Sequence, residues 1–115
     1  MDKMTKIDII TRSSKFEELK EALHDIGITG MTVTQVLGCG MQKGITETYR
    51  GIPLTINLLP KVKVEMVVCE VPVDKVIATA KNVLKTGQIG DGKIFLYPVE
   101  NVIKIRTSEE GVKAL

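Results

Sequence analysis

The run Thr86-Gly-Gln-Ile-Gly-Asp-Gly-Lys-Ile-Phe-Leu96 holds the residue types in this chain best suited to chemistry. Glycine adopts positive φ and lets a ligand come close to the backbone, and Gly87, Gly90 and Gly92 are spaced to do both. Successive N–H groups in such a turn form a concave nest for phosphate oxygens. Lys93 adds a mobile point charge beside it. The chemistry implied is anion binding. The same run also reads as a helix cap at Gly87 followed by an Asp91-Gly92 turn. Catalytic sets are missing. The single histidine, His24, sits among charged neighbours on a predicted helix and reads as a solvated surface group. With Cys39 and Cys69 it makes no zinc ligand set. No Cys/His pair is arranged for nucleophilic work, so no catalytic residue is assigned and no enzyme is expected.

The elements that must carry this loop follow from periodicity. Lys6–Thr11 reads as a strand with Ile7, Ile9 and Ile10 apolar. Ser14-Lys-Phe-Glu17 has the pattern of a capping box. Phe16, Leu19, Leu23 and Ile26 recur at helical spacing before Gly27 ends the helix. Met31–Cys39 is a second strand, rich in β-branched residues. Val62–Val68 is a third, with Val62, Val64, Met66 and Val68 alternating against Lys63, Glu65 and Val67. Pro72 suits the first helical position. Val73, Val76, Ile77, Ala80, Val83 and Leu84 then form a second amphipathic stripe, closed by Gly87. Ile94–Val99 is a fourth strand, and Val102–Ile105 reads as a short fifth.

This order predicts an α+β, ferredoxin-like βαββαβ fold with two helices on one face of an antiparallel sheet. The other face is either exposed or buried against another subunit. The alternation on the second and third strands supplies apolar residues for the latter. The connection from Gly40 to Pro60 far exceeds the about 2–5 residues of an ordinary hairpin loop. It reads either as a β-hairpin extension or as a ribbon that reaches a partner.

Length and composition bound the rest. The 115 residues suit one domain, residues 1–115, and a hydrophobic content of 43% allows a small core. A formal net charge of +2 and few aromatics (Phe16, Tyr49, Phe95, Tyr97) argue against a general nucleic-acid binder. No apolar run approaches the ~18 residues of a membrane helix, so no direct membrane insertion is expected. The absence of a targeting segment and the two cysteines point to the cytoplasm, with no disulfide demanded.

Taken together, these pieces resemble the PII nitrogen-regulatory signal-transduction family along nearly the whole chain. The resemblance is carried by Gly27-Ile-Thr-Gly-Met-Thr-Val33, Gly38-Cys-Gly-Met-Gln-Lys-Gly44 and Tyr49-Arg-Gly51. Leu59-Pro-Lys-Val-Lys-Val-Glu65, Thr86–Leu96 and Ile103-Lys-Ile-Arg-Thr107 complete it. It implies a single PII-like domain, a homotrimer, and ATP or ADP bound in clefts between subunits. By position, Gly90, Asp91, Gly92 and Lys93 would hold phosphates. Lys104 and Arg106 would reach in from the neighbouring subunit, and Thr32 and Val67 would lie near the adenosine. Gly38, Gly40, Met41 and Gln42 complete the implied nucleotide site. The resemblance further implies 2-oxoglutarate beside Mg-ATP, held by Arg12, Gln42, Lys43, Gly44 and Lys61. Gln42 would supply an oxygen to Mg²⁺, which takes oxygen ligands. The partner surface is the 40–60 loop, around Tyr49, Arg50, Gly51, Ile52, Pro53 and Leu54. The implied target is a membrane transporter such as an ammonium transporter, reached by Arg50, or alternatively a different transporter or a metabolic enzyme.

The sequence also departs from the family pattern. Leu54 stands where many members carry a uridylylated tyrosine, and Tyr49 is a different position. Pro53 stiffens the loop tip by fixing φ. Met41 and Lys104 replace family arginines. An ammonium cannot make the planar bidentate contact of a guanidinium, so weaker γ-phosphate recognition and a smaller preference for ATP over ADP are expected. An adenylate-only sensor that has lost 2-oxoglutarate is the alternative.

Overall fold

The computed structural model describes residues 3–39, 47–49, 52–54 and 58–115. β1 (Met4–Arg12) runs through a 3-10 turn (Ser13–Lys15) into α1 (Phe16–Asp25), and β2 (Thr32–Cys39) follows. Two short strands come next, β3 (Glu47–Tyr49) and β4 (Ile52–Leu54), and then β5 (Leu58–Val68). α2 (Val73–Leu84) and β6 (Lys93–Val99) complete the framework, with a second 3-10 turn at Gly111–Ala114. The main sheet has the order β2-β5-β1-β6, with every neighbouring pair antiparallel. This is the ferredoxin-like βαββαβ arrangement expected from the sequence. β3 and β4 pair with each other, Tyr49 opposite Ile52, so the hairpin reading of the 40–60 connection holds for its described part.

Register decides which residues meet. Residues directly opposite on antiparallel strands share a face. Ile7 lies opposite Met66 and Ile9 opposite Val64. All four are buried under the helices, where Leu19 and Leu23 of α1 meet Val76, Ala80 and Leu84 of α2. The spacing of three and four residues in both helices puts these side chains on one stripe. Each large buried aliphatic side chain there contributes about 1.5–3 kcal/mol.

The alternate residues form the open face of the sheet, where a charged cluster lies beside Ile10, Phe95 and Tyr97. Lys6 Nζ lies 3.1 Å from Glu65 and 3.5 Å from Asp8, and Lys63 Nζ lies 3.5 Å from Glu65 and 3.9 Å from Asp8. The apolar alternation of β5 therefore serves the helices only. A strand has one side for each parity of residue, so it cannot cover both faces with one apolar set. The Lys6–Glu65 hydrogen bond raises the Lys6 pKa and lowers that of Glu65.

Several local expectations are corrected. The capping box at Ser14 does not form. Ser13–Lys15 is already wound into the 3-10 turn, and Lys15 occupies the cap position with no side-chain bond. An N-cap side chain needs an extended residue at its own position. Pro72 is the extended residue before α2, not its first helical residue. Gly87 does not close α2, because the helix ends at Leu84 and Lys85 is extended. β5 begins four residues earlier than Val62, at Leu58, pairing through Pro60 and Lys61 with β2. The short fifth strand is reduced to a single bridge between Ile103 and Glu110, since that segment finds only its own tail to pair with.

Candidate functional site

The 86–93 loop leaves α2 and returns to the end of β1, where it is tied down by its carbonyls. Arg12 and Lys61 lie directly opposite each other on β1 and β5 and share the open face. Lys61 Nζ donates to the Gly90 carbonyl at 3.1 Å, and Arg12 Nε donates to the same oxygen at 3.3 Å. Thr11, fully buried, donates its hydroxyl to the Asp91 carbonyl at 2.8 Å. A trans peptide points each N–H opposite to the preceding C=O. Anchoring the carbonyls of Gly90 and Asp91 therefore turns the amides of Asp91 and Gly92 away from Arg12, Lys61 and Thr11.

Close approach demands the glycines. Gly92 has φ +108, and a Cβ there would fall 2.1 Å from the Ile10 carbonyl oxygen. Gly90, at φ +105, leaves the Arg12 guanidinium room to lie across it. Gly38 does the same service on β2, where a Cβ would come within 2.9 Å of the aliphatic stem of Lys61.

The Asp91 carboxylate is saturated by its own loop. Oδ2 accepts the amides of Thr86 at 2.7 Å and Gly87 at 2.9 Å. Oδ1 accepts the Thr86 hydroxyl and, at 3.1 Å, Arg12 Nη2. The Thr86 bonds, then the Gly87 amide and the Arg12 charge, hold the Asp91 pKa below its ordinary value. These amide bonds also explain the early end of α2: the carboxylate draws Thr86 and Gly87 out of the helix. Lys93 starts β6 beside Ile10 on the open face, and its ammonium has no partner among the described residues.

The structure thus gathers Arg12, Gly38, Lys61, Gly90, Asp91, Gly92 and Lys93 at one end of the sheet. Thr32 and Val67 are elsewhere. They line a small pocket of about 190 Å³ with Lys6 and Glu65. Val67 lies six residues along β5 from Lys61, about 20 Å at the usual strand rise. Lys104 and Arg106 lie beyond β6 in the turn closed by the Lys104 N–H to Glu109 carbonyl bond of 2.9 Å. Neither side chain has an ion-pair partner among the described residues, and the flanking Ile103 and Ile105 are exposed. Gly40, Met41, Gln42, Lys43, Gly44, Arg50 and Gly51 lie outside the described residues, as do the side chains of Tyr49, Ile52, Pro53 and Leu54. Among the described residues, no cluster of three His, Cys, Asp or Glu could hold a metal. No helix there is long and apolar enough to cross a membrane.

Sequence reasoning missed Thr11 and Thr86. Thr11 had a signal, because it fills a core-facing position of β1 after Ile7 and Ile9 with a hydroxyl. Thr86 showed none until the loop placed it against Asp91.

The family model described as nitrogen regulatory protein P-II matches residues 4–109. The chain belongs to the P-II family. It is 54% identical over 112 residues to a nitrogen regulatory PII-like protein of Bacillus subtilis, covering 97% of each chain. It is 52% identical to the nitrogen regulatory protein P-II of Pasteurella multocida, covering 97% of this chain and all of that one. Among solved structures, the Bacillus subtilis GlnK–ATP complex matches with a TM-score of 0.83 and 49% identity, covering 100% of this chain and 99% of that one. An Arabidopsis thaliana PII bound to citrate matches with a TM-score of 0.79 and 38% identity, covering 99% and 94%. P-II proteins are non-catalytic regulators in nitrogen signal transduction, and this chain is accordingly not an enzyme.

Proposed function

We propose that this P-II protein is a homotrimeric sensor that binds ATP or ADP between subunits and controls a target protein through the 40–60 loop. One observation carries the reading. The Gly90 and Asp91 carbonyls are anchored from the sheet side, which turns the next two amides outward beside Lys93, whose ammonium has no ion-pair partner among the described residues. That is the arrangement of an anion nest. The related GlnK whose structure is an ATP complex supports the choice of anion.

The separation of about 20 Å between Lys61 and Val67 supports a site shared between copies. One chain's phosphate loop and its own Thr32–Val67 pocket are too far apart to act on the same nucleoside. In this reading each subunit offers Gly38, Gly90, Asp91, Gly92 and Lys93 to one nucleotide. It offers Thr32, Val67, Lys104 and Arg106 to another. The exposed Ile103 and Ile105 beside those cations suit a subunit contact. Gly40, Met41 and Gln42 belong to the same site by family position, with Gln42 as an oxygen ligand to Mg²⁺.

2-Oxoglutarate would sit at the loop base with Arg12, Gln42, Lys43, Gly44 and Lys61. The related plant PII bound to citrate supports a carboxylate ligand. A specific observation favours the second reading, an adenylate-only sensor. Arg12 and Lys61 already hold Gly90 and Asp91 and would have to release or share them to meet a carboxylate. Arg50 keeps an ammonium transporter as the proposed target. Leu54, in the place of the modifiable tyrosine, makes this a member not regulated by uridylylation there.

Calorimetry of 2-oxoglutarate binding to the Mg-ATP-saturated protein, with a nucleotide-free control, separates the readings. Nucleotide-dependent binding that disappears in Lys61→Ala supports the carbon/nitrogen sensor. Adenylate binding with no 2-oxoglutarate response supports the energy sensor. No binding of ATP or ADP refutes both.

A further inference from the structure

We propose that Thr86, Asp91 and Arg12 form a positioning clamp that shapes the phosphate nest, and that Asp91 acts through the loop rather than on the ligand. The inference rests on the nucleotide-binding reading above and deepens it. Position alone had placed Asp91 among the nucleotide contacts, while Thr86 had no assigned role.

The argument is one of acceptor capacity. An ionised carboxylate offers about four lone-pair sites. Asp91 fills them with four donors: the Thr86 amide, the Gly87 amide, the Thr86 hydroxyl and Arg12 Nη2. Nothing is left for a ribose hydroxyl or a magnesium ion unless one of these bonds breaks. A bare carboxylate beside a phosphate would also repel it, and Arg12 offsets that charge. The clamp closes a ring from the end of α2 to the start of β6. Thr86 further accepts the Gln88 amide at 3.2 Å, so one hydroxyl organises both sides of the turn. With Thr11 and Lys61 holding the carbonyls, this sets the direction of the amides at Asp91 and Gly92 before any ligand arrives. A preorganised nest avoids the ordering cost on binding.

The test compares Thr86→Val and Asp91→Asn with the conservative Thr86→Ser and with the double variant. ATP and ADP affinities are measured by calorimetry, with and without Mg²⁺, and hydrogen exchange of amides 87–92 is followed in the free protein. Thr86 is exposed and outside the core, so its substitution leaves the fold intact. The clamp predicts that Thr86→Val and Asp91→Asn each weaken ATP and ADP by a similar factor, roughly tenfold for a lost charged hydrogen bond. The factor is the same without Mg²⁺, the double variant is no worse than the worse single one, and Thr86→Ser restores binding. Both impaired variants lose protection at the same amides. Wild-type binding by Thr86→Val, or an Asp91→Asn deficit confined to Mg-ATP, would overturn the proposal and make Asp91 a direct ligand. If the wild-type protein binds no nucleotide, the functional reading fails. The clamp is then judged by exchange alone: shared loss of protection supports it and unchanged protection refutes it.

Discussion

Replacing Gly92 by alanine is the most severe single-methyl change available near the site. Two costs combine. The first is the backbone at φ +108, a region nearly closed to residues with a side chain and costing about 1–3 kcal/mol. The second is steric: the new Cβ would lie 2.1 Å from the Ile10 oxygen, 3.0 Å from the Thr11 Cα and 3.1 Å from the Ile10 carbon. All three are backbone atoms of the central strand. Ile10 is held between Lys63 and Lys93 on the two flanking strands, so it cannot yield without disturbing both ladders. Overpacking of this kind costs about 1–3 kcal/mol. The sum is about 2–6 kcal/mol, a large part of the about 5–15 kcal/mol that holds a domain. Relief by moving the loop would instead break the bond from Thr11 to the Asp91 carbonyl and turn the nest. Gly87→Ala is the control. It has φ +85 but no atom within 4 Å of the added Cβ, so only the backbone cost of about 1–2 kcal/mol applies. Urea unfolding of both variants at one protein concentration reads the difference. With a slope of about 1–3 kcal/mol per molar, the Gly92→Ala midpoint should fall by at least about 0.7 M. If Gly92→Ala is no less stable than Gly87→Ala, the close approach of the loop to β1 is wrong.

Other outcomes are equally specific. Thr11→Val keeps the shape of a fully buried side chain but strands the Asp91 carbonyl, and should cost about 1–3 kcal/mol in urea unfolding. Leu23→Ala, at a fully buried position of α1, should cost about 2–5 kcal/mol by the same assay without changing nucleotide affinity. Asp91 and Glu65 have pKa values below their ordinary 3.8 and 4.5, so the stability they contribute is present above about pH 4.5 and is lost as pH falls through the lowered values. Lys6, raised above 10.5, contributes below that pH and loses its contribution as pH rises through its folded value. An acid limb of the stability curve that is unchanged in the Asp91→Asn, Glu65→Gln double variant would contradict the acid assignment. Met41→Arg with Lys104→Arg should tighten ATP selectively in calorimetry; equal effects on ATP and ADP would count against the account of γ-phosphate recognition.

How far the sequence reached depended on the kind of interaction involved. The strands and helices were legible because each depends on a periodic pattern within one segment. Ile7 and Ile9 alternate, and Leu19 and Leu23 recur after four residues, whatever lies elsewhere in the chain. Boundaries failed where a distant group intervened. Ser14 had every local mark of a cap, yet the chain enters α1 through a 3-10 turn. Gly87 had every mark of a helix stop, yet Asp91, four residues on, takes its amide and ends α2 earlier. The make-up of the open face was only partly legible, because counting apolar residues along β5 does not say which side each one serves. Only the pairing of Asp8 with Glu65 puts Lys6 and Lys63 beside them.

By itself, the sequence determined the βαββαβ order, the helical stripes and the glycine-rich run at Thr86–Lys93. All of these rest on residues adjacent in the chain or spaced by a fixed repeat. The tertiary structure decided what the loop's residues do. It placed Arg12 and Lys61, separated by 49 positions in sequence (61 − 12), opposite each other across two strands, with both on one carbonyl. It also gave the Asp91 carboxylate to Thr86. Hydrogen bonds require partners within about 3 Å and in line. Strand register sets that proximity, and no single segment carries it.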